Sequence, residues 1–193
     1  MANYITNIIT LEKGEYDLTT VISFENEAPI PKELKNTTHD SLAYSLEATM
    51  GVGISSVFRQ EAETIEELRE AFPSEEDSKR IDQGIENIKK HGYATWYSWC
   101  IANWGTKWDM HINQSDEAIL IIETAWSSPL AWFDKFVKTL PDGVELKLEW
   151  ADEDFGCNTG YAIGNNKGLD IHFDENMSPQ AVNRARNILN IDA

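Results

Sequence analysis

The chain has 193 residues, of which 41% are hydrophobic and seven are tryptophans. This length suits one domain with additions. Each buried aromatic ring removes roughly 150–250 Å² from water, so the composition indicates a folded chain with a large core. The formal charge is -17, from 33 acidic and 16 basic residues. Because neutralising phosphates requires Lys and Arg, we expect no direct binding of nucleic acid.

The sequence gives no sign of export or of a membrane span. Its longest wholly apolar run, residues 118–122, is far shorter than the roughly 20 residues that a transmembrane helix needs. The N-terminus lacks the basic region and apolar stretch of a secretory signal. Cys100 and Cys157 have no metal-ligand spacing and are expected to remain thiols in a reducing compartment. We therefore expect a cytoplasmic protein.

The predicted elements begin with strands and continue with helices. Residues 5–11 and 18–24 alternate with a period of two, which predicts two neighbouring strands. A helical pattern follows over residues 40–50. Thr64 and Glu67 form a capping box for a helix that ends at Pro73, and Ser74 begins a helix that ends before Gly92. We interpret these helices as an insertion, at about residues 38–93, in a single domain covering residues 1–193.

The second half of the chain is predicted to contain both helices and strands. Residues 96–103 form a short helix closed by Gly105, and residues 118–125 are apolar enough for a central strand buried on both faces. A helix over residues 130–140 precedes the clearest strand, at 144–150. A hairpin follows, with strands at 161–163 and 169–173, before a last helix at 179–189. This order predicts an α+β fold with a mostly antiparallel sheet.

Several segments resemble one known family. The stretch from Trp99 to Asp109 resembles the central signature of the Api92-like family, also called the YubB or DUF1281 family, which is found largely on phages, prophages and plasmids. Residues 1–14, 24–34 and 124–129 resemble its other segments, in the same order. The resemblance covers roughly residues 1–36 and 95–168. It implies a ferredoxin-like fold with helices on one face of the sheet, and it implies no activity for any residue.

Two departures from the family pattern lie near the N-terminus. Tyr4-Ile5 replaces the usual Trp-Cys, and the helix expected after the first strand is reduced to a turn before Tyr16. The simple ferredoxin-like order is therefore expected to be altered here.

The best candidate for a site lies in residues 104–109. Trp104 and Trp108, with Lys107 and Asp109, could line a pocket that holds a small polar ligand. In the alternative interpretation, both tryptophans fill the core while Lys107 and Asp109 pair at its rim. The full set of candidate pocket or interaction residues is Trp104, Lys107, Trp108, Asp109, Glu123 and Trp126.

A second candidate surface is acidic and lies on the predicted insertion. It consists of Glu66, Glu67, Glu70, Glu75, Glu76 and Asp77. A surface of this kind could bind a basic partner, although a high negative charge also keeps a small protein soluble without any partner.

No catalytic or cofactor motif occurs in the sequence. There is no phosphate loop, nucleophile elbow, Cys-His pairing or zinc-site spacing. The carboxylates at residues 152–154 lack the alternate ligand spacing of a calcium loop. We therefore expect neither a metal nor a cofactor. The absence of these motifs also favours a binding protein over an enzyme.

Three hypotheses for function stay open. The first is a non-enzymatic accessory protein of a mobile genetic element that binds a host protein. The second is an acidic mimic of DNA that inhibits a host restriction or defence enzyme. The third is a small-ligand binder or enzyme with its pocket near residues 104–109.

Overall fold

A computed structural model of the protein describes residues 3–52 and 62–190. In chain order, the strands and helices are β1 (Tyr4–Lys13), a 3-10 turn (Leu18–Thr20), α1 (Phe24–Glu27), α2 (Lys32–Lys35), α3 (Ser41–Thr49), α4 (Ile65–Ala71), α5 (Glu75–His91), α6 (Trp96–Asn103), β2 (His111–Ser115), β3 (Ile119–Ala125), α7 (Leu130–Val137), β4 (Glu145–Asp152), β5 (Gly160–Asn165), β6 (Gly168–Phe173) and α8 (Pro179–Leu189).

Contacts within the chain cluster into two compact units. The sheet unit consists of Met1–Ala28 and Asn103–Ala193, and the helical unit consists of Pro29–Ala102. The predicted insertion at residues 38–93 falls inside the helical unit, while the prediction of one domain over residues 1–193 stays a prediction. None of the described helices is both long enough and apolar enough to cross a membrane.

The sheet unit contains six strands in the order β2-β3-β1-β4-β5-β6. Every neighbouring pair is antiparallel, which confirms the predicted α+β fold with an antiparallel sheet. The N-terminal strand β1 lies in the interior of the sheet, where Ile9 stands opposite Leu120 of β3 and Leu148 of β4. The outer strands are β2 and β6.

Strand β1 forms because its apolar residues alternate and both its edges are paired. Ile5 and Ile9 are fully buried on one face of the sheet, in agreement with a period of two. Asn7 is buried between them, and its side-chain amide donates hydrogen bonds to the hydroxyl of Thr124 and to the carbonyl oxygen of Ile5, each at 2.9 Å. These bonds reduce the cost of burying a polar group within the core.

Helices α7 and α8 cover opposite faces of the sheet. A Cβ atom added to Gly164 of β5 would lie 2.8 Å from the side chain of Val137, so α7 packs closely on that face. Helix α8 packs Ala185 against Ala151 and Ile8, on the other face. The expectation that helices cover one face only is therefore not met for α8. Ile8 and Ala151 make the second face apolar in the middle of the sheet, and α8 removes it from water.

The predicted strand at residues 18–24 is wrong. Leu18, Val21 and Phe24 are the buried residues, whereas Ile22 is 60% exposed. Burial therefore recurs every third residue, which is the period of a 3-10 helix, and the segment forms the turn Leu18–Thr20 followed by α1. The carboxylate of Asp17 accepts a hydrogen bond from the backbone N–H of Thr19 at 3.0 Å, which favours the turn over an extended backbone.

Strand β3 is also less buried than the sequence indicated. Leu120, Ile122 and Thr124 are buried, but the residues between them are only half-buried. The prediction of burial on both faces is therefore wrong, because no described helix covers the second face over the whole length of β3.

The helical unit is organised by caps and by one apolar cluster. Thr64 and Ser74 each accept a hydrogen bond from the backbone three residues on, as predicted for the N-caps of α4 and α5. Gly92 ends α5 in the left-handed conformation, at φ +83°. Gly84 lets α3 and α5 approach closely, since an added Cβ would lie 2.3 Å from the side chain of Leu46. The buried cluster contains Leu42, Leu46, Ala62, Leu68, Ile81, Ile88 and Ala94.

One exposed ion pair links the short helix α2 to α5. The ammonium of Lys90 lies 2.5 Å from the carboxylate of Glu33. Its hydrogen bond, together with a hydrogen bond from the Glu33 backbone, lowers the pKa of Glu33 from 4.5 to about 2.

We expect the sheet unit to lose its fold without β1. A fragment consisting of residues 103–193 should show no cooperative thermal transition by near-UV circular dichroism, because β3 and β4 would each lose a paired edge. Adding a peptide of residues 1–28 should restore the near-UV signal. A cooperative transition of the fragment alone would contradict this expectation.

The Glu33–Lys90 pair should make the free energy of unfolding depend on pH. Because the folded-state pKa of Glu33 is depressed, the contribution is present above pH 4.5 and is lost as the pH falls towards about 2. Glu33→Gln should therefore lower the urea midpoint slightly at neutral pH, and its difference from wild type should shrink on acidification. Glu76→Gln, at an exposed position on α5, is the control. A difference independent of pH would exclude the ion pair as its cause.

Candidate functional site

Trp104 is a core residue of the sheet unit. Only 2% of its surface is exposed, and its indole N–H donates a hydrogen bond to the carbonyl oxygen of Ala28 at 3.0 Å. Its ring centroid lies 5.8 Å from that of Phe24, which in turn lies 4.9 Å from Trp132. Trp104 therefore has the structural role that one of the two sequence interpretations gave it.

The residues after Trp104 form a turn that is tied to the end of β3. Thr106 is fully buried, and its hydroxyl both donates to the carbonyl oxygen of Ala125 at 2.9 Å and accepts from the Ala125 N–H at 3.1 Å. The Ser127 hydroxyl donates to the carbonyl oxygen of Gly105. Gly105 itself has φ +86°, in the left-handed region that glycine tolerates. These bonds fix residues 105–108 beside residues 125–127.

This turn brings Lys107, Trp108 and Trp126 together at the surface. The ammonium of Lys107 lies 4.4 Å from the ring centroid of Trp108 and 4.7 Å from that of Trp126. The two ring centroids are 6.5 Å apart, with their planes inclined by 30°. Trp108 and Trp126 remain 44% and 43% exposed. We call these three residues the tryptophan patch.

The backbone of Trp126 is in an unusual conformation. Its φ is +66°, in the left-handed region, where a bulky side chain costs of order 1–3 kcal/mol. Its backbone N–H donates to the carbonyl oxygen of Asn3 at 2.9 Å, so the chain is held in place on one side by the start of β1. The result is a large apolar side chain that points outward at a position where glycine or asparagine would be less strained.

The remaining candidate pocket residues, Asp109 and Glu123, form part of the fold and do not join the tryptophan patch. The carboxylate of Asp109 accepts hydrogen bonds from the backbone N–H of Phe24 at 2.6 Å and of Met110 at 2.9 Å, at the beginning of α1. Glu123 is half-buried within β3, opposite Thr6 of β1 and His111 of β2. The structure therefore brings together Lys107, Trp108 and Trp126, and gives Trp104 and Asp109 roles in the fold.

The acidic candidates lie on α4 and α5 among basic residues. Glu75 pairs with Lys79 at 2.7 Å and Asp77 with Arg80 at 3.5 Å, while Glu67 accepts a hydrogen bond from the backbone of residue 63 at 2.8 Å. Residues 64–91 contain eight acidic and five basic side chains, so they contribute only -3 to the charge of -17. Among the described residues, the acidic candidates that are exposed and form no ion pair are Glu66, Glu67, Glu70 and Glu76.

A cavity in the helical unit escaped the sequence analysis. Its volume is about 180 Å³, and its lining includes Thr37, Thr38, Leu42, Leu46, Gln83 and Thr95. These residues come from α3, α5 and the segments that flank them, with no motif spacing in common. No local pattern could have indicated a cavity there, because helix packing creates it.

The loop carboxylates at residues 152–154 serve the backbone. Asp152 is 7% exposed, and it accepts hydrogen bonds from the N–H of Asp154 at 2.9 Å and from the side-chain amide of Asn158 at 3.3 Å. Among residues 3–52 and 62–190, no three His, Cys, Asp or Glu side chains are arranged to hold a metal ion.

Partial burial and the neighbouring Asp154 raise the pKa of the Cys157 thiol.

Two glycines with the same φ test how tightly the turn at residue 105 is held. Gly105→Ala should destabilise the protein more than Gly143→Ala, although both have φ +86°. A Cβ at residue 105 would lie 3.1 Å from the backbone nitrogens of Leu130 and Ala131, whereas a Cβ at residue 143 meets nothing within 4 Å. We expect about 1–2 kcal/mol for Gly143→Ala and at least about 1 kcal/mol more for Gly105→Ala, measured by urea unfolding. Equal losses would contradict close packing around residue 105.

Comparison with known proteins identifies the C-terminal part of the chain. A family model described as the ferredoxin-like domain in Api92-like protein matches residues 104–192. The match begins at Trp104 and includes the tryptophan patch and five of the six strands. The chain matches no curated protein and no solved structure. Residues 104–192 are therefore identified as a ferredoxin-like domain of the kind found in Api92-like protein.

Proposed function

We propose that this protein is a non-enzymatic accessory protein of a mobile genetic element, and that it binds a host protein through the tryptophan patch. The mobile element follows from the family, whose members are found largely on phages, prophages and plasmids. The binding surface is supported by the geometry of Lys107, Trp108 and Trp126. In this proposal the protein acts in the host cytoplasm, where Cys100 and Cys157 remain thiols, as they are in this structure.

The observation that carries the proposal is the exposure of two neighbouring tryptophans, one of which, Trp126, has a strained backbone. Tryptophan is enriched among the residues that dominate binding energy at protein interfaces. Trp126 leaves 43% of its surface exposed in the free protein, and its backbone occupies the left-handed region. Strain of this kind is concentrated at functional sites. A role in binding accounts for a tryptophan at this position.

The chemistry of the patch indicates what the partner should present. The indole rings provide flat apolar surface, and the Lys107 ammonium between them provides a positive charge within a strongly acidic protein. A complementary surface has an apolar group that covers the rings and a carboxylate or carbonyl oxygen that accepts from Lys107. Contact with the rings orders Lys107 before binding, which lowers the entropy that association must overcome.

The two alternative functions depend on other features. An acidic mimic of DNA would use carboxylates on α4 and α5, but pairs such as Glu75–Lys79 and Asp77–Arg80 reduce the negative charge there. A small-ligand binder would use the 180 Å³ cavity in the helical unit, since Trp104 fills core space instead of lining a pocket. Neither alternative accounts for the exposed tryptophans.

Substitution of either tryptophan should weaken partner binding without unfolding the protein. Wild-type protein and the variants Trp108→Ala and Trp126→Gly serve as baits in host lysate, and each captured protein is then purified for titration calorimetry. We expect roughly 30-fold weaker binding for each variant, which corresponds to about 2 kcal/mol. Near-UV circular dichroism checks that each variant is folded, because Trp126→Gly relieves the left-handed backbone but also loses the buried part of the indole.

Two control variants distinguish the tryptophan patch from other surfaces. Ile22→Ala removes an exposed apolar side chain elsewhere in the sheet unit and should bind like wild type. The triple variant Glu66→Gln, Glu70→Gln, Glu76→Gln neutralises three of the six acidic candidates and should also bind. A partner that is lost only with the triple variant would assign binding to the acidic helices. No specific partner at low salt would contradict the proposal.

A further inference from the structure

The two outer strands of the sheet differ in how they expose their edges. Strand β2 is polar, and its register with β3 shifts between Ile112 and Gln114, so a bulge interrupts it. Bulges and polar side chains discourage pairing with another chain. Strand β6 has no such interruption, since all six of its residues from Gly168 to Phe173 pair in register with β5. Its sequence, GLDIHF, also lacks lysine and proline.

Strand β6 exposes large apolar side chains at this uninterrupted edge. Ile171 is 39% exposed and Phe173 is 69% exposed, although both belong to a regular strand. Phe173 contacts Trp150 of β4 through one edge, with ring centroids 5.6 Å apart, and this leaves most of the ring in contact with water. No described strand pairs with the outer edge of β6. Such an edge is a template for pairing with a further strand.

The backbone of β6 shows which residues could pair outward. The N–H of Asp174 donates to the carbonyl oxygen of Thr159 at 3.0 Å, in register with the β5–β6 ladder. Because bonded residues alternate in an antiparallel ladder, Asp170 and His172 also direct their N–H and C=O groups towards β5. Leu169, Ile171 and Phe173 direct theirs away from the sheet, towards solvent.

This pattern is complementary to itself in one antiparallel register. If Ile171 stands opposite Ile171 of a second copy, Leu169 stands opposite Phe173 and Asp170 stands opposite His172. The three outward-directed residues then form hydrogen-bonded pairs, and their apolar side chains form one row on the same face. Asp170 and His172 fall in the non-hydrogen-bonded pairs, where Cα atoms lie about 4.5 Å apart and the carboxylate of one chain lies beside the imidazole of the other.

We propose that β6 joins two copies of this chain, by antiparallel pairing about a two-fold axis at Ile171. The two six-stranded sheets then form one continuous sheet of twelve strands. A second copy is the occupant because apolar side chains, the carboxylate and imidazole, and backbone groups all find partners in the same register. In the free chain, His172 lies 2.9 Å from Asp170 of its own strand and stacks on Tyr161, so both side chains are already positioned at the edge.

Sedimentation velocity over a wide range of concentration tests the proposal with the full chain. Wild type should shift from monomer to dimer as concentration rises. Ile171→Lys should remain a monomer, because two ammonium groups would face each other across the axis. Asn113→Lys, at the exposed edge of β2, should dimerise like wild type. Far-UV circular dichroism and thermal unfolding check that each variant is folded.

A mixture of two variants separates pairing between chains from contact within one chain. Asp170→His places histidine opposite histidine in its own dimer, and His172→Asp places carboxylate opposite carboxylate, so each alone should dimerise at least tenfold more weakly than wild type. In a mixed dimer, every histidine faces a carboxylate of the other chain. We therefore expect the mixture to dimerise, although neither variant retains the Asp170–His172 contact within its own chain.

Three outcomes would overturn the proposal. Wild type that stays monomeric at every concentration would leave the β6 edge unoccupied or available to another protein. An Ile171→Lys variant that dimerises like wild type would place the interface elsewhere. A mixture that is no more dimeric than its two components would exclude the register centred on Ile171.

Discussion

The sheet unit depends on the pairing of β1 with both β3 and β4. The region matched by the family model begins at residue 104, so it contains β3 and β4 but not the strand that lies between them. One edge of β3 and one edge of β4 are therefore paired only by β1, which comes from the start of the chain. Closing so long a loop costs conformational entropy, which the apolar residues of β1, including Ile5 and Ile9, offset by burial.

The same pairing positions the tryptophan patch. The start of β1 holds the backbone of Trp126 through the carbonyl oxygen of Asn3, and the end of β3 holds Thr106 through the backbone of Ala125. Trp108 and Trp126 are 18 positions apart in the sequence, yet these bonds bring both rings against the ammonium of one lysine. The patch is thus a product of the central sheet.

Most of the negative charge lies outside the helices that were predicted to form an acidic surface. The predicted acidic helices are nearly balanced, while residues 1–28 and 103–193 contain 20 acidic and 8 basic side chains. The negative charge is therefore concentrated in the unit that also carries the tryptophan patch. An acidic surround disfavours nucleic acid and favours partners with basic or neutral surfaces around the contact. Lys107 stands out within it as a cation held between two rings.

The sequence by itself determined the elements whose signals are local. The alternation in β1 and β4, the caps at Thr64 and Ser74, and the hairpin turn before β6 all act between residues close in the chain. The family resemblance added the expectation of a ferredoxin-like fold and pointed to the region around Trp104. These features could be predicted because neighbouring residues specify them, whatever the rest of the chain does.

Only the tertiary structure decided the features that depend on distant contacts. Residues 18–24 fit a period of two and a period of three, and burial of Leu18, Val21 and Phe24 selected the second. Helix α8 covers the second face of the sheet because Ile8 and Ala151 come together there across two strands. Trp104, Trp108 and Trp126 are chemically identical, and nothing local distinguishes them. Packing buried the first and left the other two exposed, because their environments come from segments far apart in the sequence.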